Sequence, residues 1–112
     1  MKTASLLDNL EYRNEKPAIQ VLLETESTKE IRIVFRKGQQ MKEHQTPFPI
    51  AVEIFEGKID FGVQGTTHTL EKGALVALGG GVPHDLKALE DSIVRLSLSK
   101  SDNVQRVEKV IE

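Results

Sequence analysis

The chain has 112 residues, 38% of them hydrophobic and 29% charged, and its 15 basic and 17 acidic residues leave a net charge of −2. That length predicts a single domain over residues 1–112, with one core that needs no covalent staples. Because cysteine is absent, disulfides, thiolate nucleophiles, iron–sulfur clusters and thiolate zinc sites are excluded, and the chain suits a reducing, cytoplasmic setting.

Met1-Lys2 begins like an export signal, but Asp8 and Glu11 interrupt Leu6, Leu7 and Leu10 before a signal-type apolar stretch forms. No other apolar run approaches the roughly 20 residues of a bilayer span, so no membrane partner is expected. Thr3 to Tyr12 reads as a short helical or irregular lead-in. Strands follow at Ala18 to Leu23 and at Ile31 to Arg36. In the second of these, Ile31, Ile33 and Phe35 share one face and Arg32 and Arg36 flank Val34 on the other, wet face. Ala51 to Phe55 is a further strand, and Ile59, Phe61 and Val63 repeat the alternation. Ala74 to Leu78 and Val94 to Leu98 complete the set.

Turn signals separate these runs at Lys37-Gly38, Glu56-Gly57-Lys58, Gly65-Thr66-Thr67, Lys72-Gly73 and Gly79-Gly80-Gly81. Many short strands with regular reversals indicate an all-β fold, here a single antiparallel β-barrel of jelly-roll type. Val104, Val107 and Ile111 are spaced to line one face of a short C-terminal helix that would need docking. Both signs of charge are mixed along the chain, and four phenylalanines, one tyrosine and no tryptophan offer few stacking platforms, so nucleic acid is not an expected partner. The triple glycine precedes Pro83 and His84 rather than a helix, which removes a dinucleotide loop, and no His-Glu-x-x-His zinc helix or nucleophile elbow is present.

Two histidines stand out: His44, shortly after Gly38, and His84, which closes Gly79-Gly80-Gly81-Val82-Pro83-His84. Imidazole suits metal binding and proton transfer near neutral pH. Thr46 and Lys42 share strand parity with His44, whereas Glu43 and Gln45 face away from it. Pro47-Phe48-Pro49 reads as a stiff rim loop, with Phe48 a core or ligand contact, and His68 reads as an exposed strand or turn residue.

From Gly38 to His84 the chain resembles the cupin superfamily, specifically the small RmlC-like jelly-roll barrels, and the strand pattern extends the barrel core over about residues 30–99. The first cupin motif runs glycine, histidine, histidine, glutamate, glycine. Gly38, His44 and Gly57 match it, while Thr46 stands at the second histidine and Ile50 at the glutamate. In the second motif Gly73, Gly81 and His84 fit, with Gly79 in place of proline and Ala88 in place of asparagine. The resemblance implies a cavity lined by His44, Thr46, Phe48 and His84. It implies two readings of that cavity.

In the first, a stand-alone barrel with a degenerate metal motif binds a small organic ligand, as a storage, sensing or accessory module. In the second, a metal-dependent dioxygenase or isomerase uses His44 and His84 on a divalent first-row transition metal such as manganese, iron, nickel, copper or zinc, with a third ligand yet to be identified. Glu53 is the nearest carboxylate for that place, although its odd offset from Ile50 puts it on the opposite face unless a bulge intervenes. His84 is also a candidate general base, tuned by Asp85. The resemblance also implies a homodimer, paired through sheet edges or an exchanged N-terminal strand, with Ala18 to Leu23 the strand best supplied with spare apolar surface.

Overall fold

The computed structural model describes residues 1–100 together with Val110 and Ile111. Nine strands appear in chain order: β1 (Ala18–Glu24), β2 (Thr28–Phe35), β3 (Gln40–His44), β4 (Ile50–Glu56), β5 (Lys58–Val63), β6 (Thr66–Glu71), β7 (Leu75–Leu78), β8 (His84–Ala88) and β9 (Ser92–Ser99). They form two antiparallel sheets, one ordered β1-β2-β9-β4-β7 and the other β3-β8-β5-β6. This is the expected jelly roll, except that the sheets face one another without closing into a continuous barrel.

The core lies between the sheets and follows the two-residue alternation. Ile31, Ile33 and Phe35 of β2, Val52 and Ile54 of β4, Ile59 and Phe61 of β5, and Val94, Leu96 and Leu98 of β9 are all buried there. The reversals come where glycine permits them. Gly38, Gly57, Gly65, Gly73 and Gly81 all have positive φ, between 79° and 93°.

Two expectations are corrected. The outer face of β2 is not wet, since Arg32 and Val34 are 3% and 1% exposed. Of the two forms expected for the lead-in, the irregular one is observed, with turns at residues 6–9, and the carbonyls of Leu6, Asp8 and Asn9 accept hydrogen bonds from the Arg32 guanidinium, which draws the lead-in over that face. Of the residues assigned to a C-terminal helix, Val104 and Val107 lie outside the described ones. Val110 and Ile111 sit in a turn and pack into the core cluster.

Candidate functional site

The site is built by neighbouring strands β3 and β8. In regular pairing Met41 and His44, three residues apart, would point to opposite faces. Met41 pairs with Leu86 and His44 pairs with His84, so two residues of β3 stand opposite one of β8, and the register shifts between them. That extra residue is a β-bulge, and it places both Met41 and His44 on the inner face. Lys42, expected to share the face of His44, is exposed and outside the cavity as a consequence.

On β8 the alternation is regular. His84, Leu86 and Ala88 point inward, and Asp85 lies on the other face, where its carboxylate packs so closely on Gly62 that a side chain there would have to displace it. The expected tuning of His84 by an adjacent Asp85 carboxylate therefore has no direct geometry to support it.

The two imidazoles meet at the cavity wall with ring centroids 4.3 Å apart and planes inclined by 58°. Phe61 stacks on the far side of His84 at 5.7 Å, with the rings within 6° of parallel. The Nδ1 of His44 lies 2.9 Å from the Lys42 carbonyl oxygen, and that of His84 lies 2.9 Å from the Val82 carbonyl oxygen. A carbonyl only accepts, so each Nδ1 carries a hydrogen, and the basic lone pair of either ring in its neutral form lies on Nε2. Burial holds the pKa of His44 below the ordinary histidine value. The nearby His84 pushes in the same direction, while the Lys42 carbonyl and, more weakly, Asp85 oppose it.

The cavity that these rings close is about 30 Å³ and otherwise apolar, walled by Ile33, Ile50, Val52, Leu86, Leu96 and Leu98 among others. Thr46 lines it too, so His44, Thr46 and His84 are brought together as the sequence suggests. Phe48 is half-buried but does not reach the cavity. Its loop instead forms the rim, where Gly81 donates a backbone hydrogen bond of 2.7 Å to the Thr46 carbonyl. Gly80 approaches the Pro47 carbonyl so closely that a Cβ would collide with it.

Glu53 does not join the histidines. It sits on the outer face of the five-stranded sheet, where Arg95 donates to it at 2.8 Å and to Glu30 at 2.7 Å. The bulge in β4 comes after Ile54, too late to turn Glu53 inward. His68 is exposed on β6.

Among the described residues no group of three or more metal-binding side chains converges. Two imidazoles are half of a cupin donor set, and neither Thr46 nor Ile50 supplies the rest. The described residues do not fit a tightly held transition-metal ion. No helix among the described residues is long and apolar enough to cross a membrane.

No family model matches the chain, and no curated protein matches it by sequence. Solved structures do match. An RmlC-like cupin from Desulfovibrio desulfuricans aligns with a TM-score of 0.81 at 22% identity, over 88% of this chain and 96% of that one. An RmlC-like cupin from Shewanella frigidimarina gives 0.75 at 19%, over 88% and 91%. A protein with a double-stranded β-helix domain from Klebsiella pneumoniae gives 0.76 at 18%, over 88% and 89%. The strand order, the two-sheet packing and these likenesses agree: the chain has the jelly-roll fold that these small cupin-type structures share.

Proposed function

We propose that this domain is a binding cupin without a resident metal, and that it takes a compact ligand whose hydrogen-bond donor meets the Nε2 atoms of His44 and His84. The observation that carries the reading is the paired imidazoles, each fixed through Nδ1 on a backbone carbonyl, at the polar end of a cavity that is otherwise apolar. Two rings held in this way can present two Nε2 acceptors side by side, suited to an amine or a water donating to both, or to a hydroxyl donating to one of them. At about 30 Å³ the cavity has room for a donor group or one or two waters. The remainder of a larger ligand would lie at the rim formed by the Thr46-to-Pro49 loop and Gly79 to Gly81.

The test is elemental analysis of tag-free protein purified without chelators, repeated after incubation with manganese, iron, nickel, copper and zinc and desalting, alongside mass spectrometry of small molecules released on denaturation. Metal-free protein that carries an organic molecule supports the reading. Near one metal per chain, lost on His44→Ala or His84→Ala, overturns it in favour of a metal-dependent enzyme with a further ligand. His84 would then be free of the general-base role that its Nε2 otherwise allows.

We also infer a homodimer, because β1 is an open sheet edge and Val21 on it is exposed. A light-scattering mass of one chain at micromolar concentration would dispense with that pairing.

A further inference from the structure

A second feature lies on the opposite side of the five-stranded sheet from the histidines and is independent of them. Gln20, Arg32, Arg95 and Glu53 form one row across β1, β2, β9 and β4. Two arginines are therefore direct cross-strand neighbours, an unfavourable pairing unless each finds a counter-charge. Arg95 has two, Glu30 and Glu53. Arg32 is 3% exposed, and no acidic side chain pairs with it among the described residues.

Its partners are all neutral. Nη1 donates to the carbonyls of Leu6 at 3.1 Å and Asp8 at 2.7 Å, and Nη2 donates to the carbonyl of Asn9 at 3.4 Å and to Gln20 Oε1 at 2.9 Å. Nε is buried and has no hydrogen-bond partner among the described residues. A buried guanidinium with an unsatisfied donor and no anion is costly in both respects.

Arg32 also lines a cleft of about 430 Å³ between the lead-in and the sheet, together with Asn9, Glu11, Arg13 and Gln20. The charged residues of this cleft are two arginines and one glutamate, which leaves it cationic.

We infer that this cleft is a binding site for the carboxylate of a small organic acid. Because Nε has almost no accessible surface, the acid enters as the lead-in yields at its longest contact, the 3.4 Å bond to Asn9; one carboxylate oxygen then accepts from Nε–H and the other from the released Nη2–H, the fork geometry for which guanidinium is suited. Arg13 adds charge at the rim, and Glu11 opposes entry. The cleft is large enough for a short acid, and Ala18 and Val34 supply apolar wall.

The test uses the full chain and butyrate as the probe, with inorganic phosphate as a comparator and ionic strength held constant with sodium chloride. The ¹H–¹⁵N signal of Arg32 Nε is followed, since a buried N–H exchanges slowly enough to be seen. Arg32 itself is not replaced, because its loss would strand four acceptors and unfold the lead-in. Arg13→Gln and Glu11→Gln alter exposed rim residues instead.

The expected result is a saturable butyrate shift of the Arg32 signal, about tenfold weaker in affinity in Arg13→Gln and stronger in Glu11→Gln, as loss of one charged contact or one repulsion requires. An equal response to phosphate reassigns the site to oxyanions in general and overturns the carboxylate choice. No saturation overturns the site itself. A change in the Arg32 signal on Glu11→Gln without any response to butyrate makes Glu11 the counter-ion, and also overturns it.

Discussion

Gly38 and Gly57 both belong to the first motif, and their backbones are nearly identical, with φ of 91° and 93°. They differ in surroundings. A Cβ on Gly38 meets nothing within 4 Å, whereas one on Gly57 collides with Ser92 Oγ, the Asp91 carbonyl oxygen and Ser92 Cα. Alanine at Gly38 therefore incurs only the conformational cost of a left-handed residue, about 1–2 kcal/mol, less about 0.5 kcal/mol regained because alanine has fewer unfolded conformers. The expected loss is about 1 kcal/mol.

At Gly57 the same cost is joined by overlap with atoms that cannot swing away, two of which are backbone. Overpacking of this kind costs a further 1–3 kcal/mol or so, for a total of about 3 kcal/mol. Ser92 is itself pinned by hydrogen bonds to Lys58 and Glu90, which limits relief. Urea unfolding of the two variants checks the difference, and thermal scans should show losses of about 4 °C for Gly38→Ala and about 12 °C for Gly57→Ala. Equal losses would refute the reasoning, since they would mean that the β4–β5 turn moves freely away from the start of β9.

Three further outcomes follow from the site. The His44 ring, followed by NMR, should titrate below the free histidine value. Replacing His84 with Phe, a ring that cannot take up a proton beside His44, should raise that midpoint. The folded state binds this proton less readily than the unfolded chain, so His44 contributes stability that is present above the unfolded pKa and declines as pH falls through the folded one; stability independent of pH between 7 and 5 in the wild type, set against a His44→Phe control, would contradict this. Glu53→Gln should leave metal uptake and cavity ligands untouched and cost no more than about 1 kcal/mol, because its pair with Arg95 is part-exposed; loss of a bound metal in that variant would restore Glu53 as a ligand. Leu98→Ala, at a wall position 2% exposed, should cost about 3 kcal/mol and enlarge the cavity, and bound xenon detected by NMR would report the added space.

The strands that carry the core were legible because alternation records which face is buried. Ile31, Ile33 and Phe35, and likewise Val94, Leu96 and Leu98, sit inward as their spacing predicts. The strands that carry the site were not. In β3, Gln40–His44, one buried residue stands among polar ones, and in β8, His84–Ala88, the buried positions include a histidine. Neither has the apolar periodicity that marks a strand. The bulge between Met41 and His44 has no signature of its own in the sequence, so parity counted along the chain wrongly grouped Lys42 with His44. Counted from Ile50, the same parity argument places Glu53 outside, as observed. The burial of Arg32 escaped notice because it depends on the lead-in folding back over β2, a contact 23 to 26 residues away in sequence.

The two replaced motif positions change the electrostatics of the cavity as well as its donor count. Thr46 and Ile50 both line it, where the cupin resemblance places a second histidine and a glutamate. A glutamate at Ile50 would sit within an apolar wall and would favour charged imidazoles or a metal cation beside it. With Ile50 there, no carboxylate lines the cavity, and for His44 the burial of the ring prevails and the neutral form is favoured. The bulge in β3 sets the Nδ1-anchored ring of His44 against a second ring fixed in the same way. Two adjacent Nε2 acceptors in a mainly apolar wall have few partners able to satisfy both, and a group with two hydrogens to donate is one. Binding at this site should therefore select for donor groups over anions, which sets it apart from the cationic cleft at Arg32 on the outer face of the five-stranded sheet.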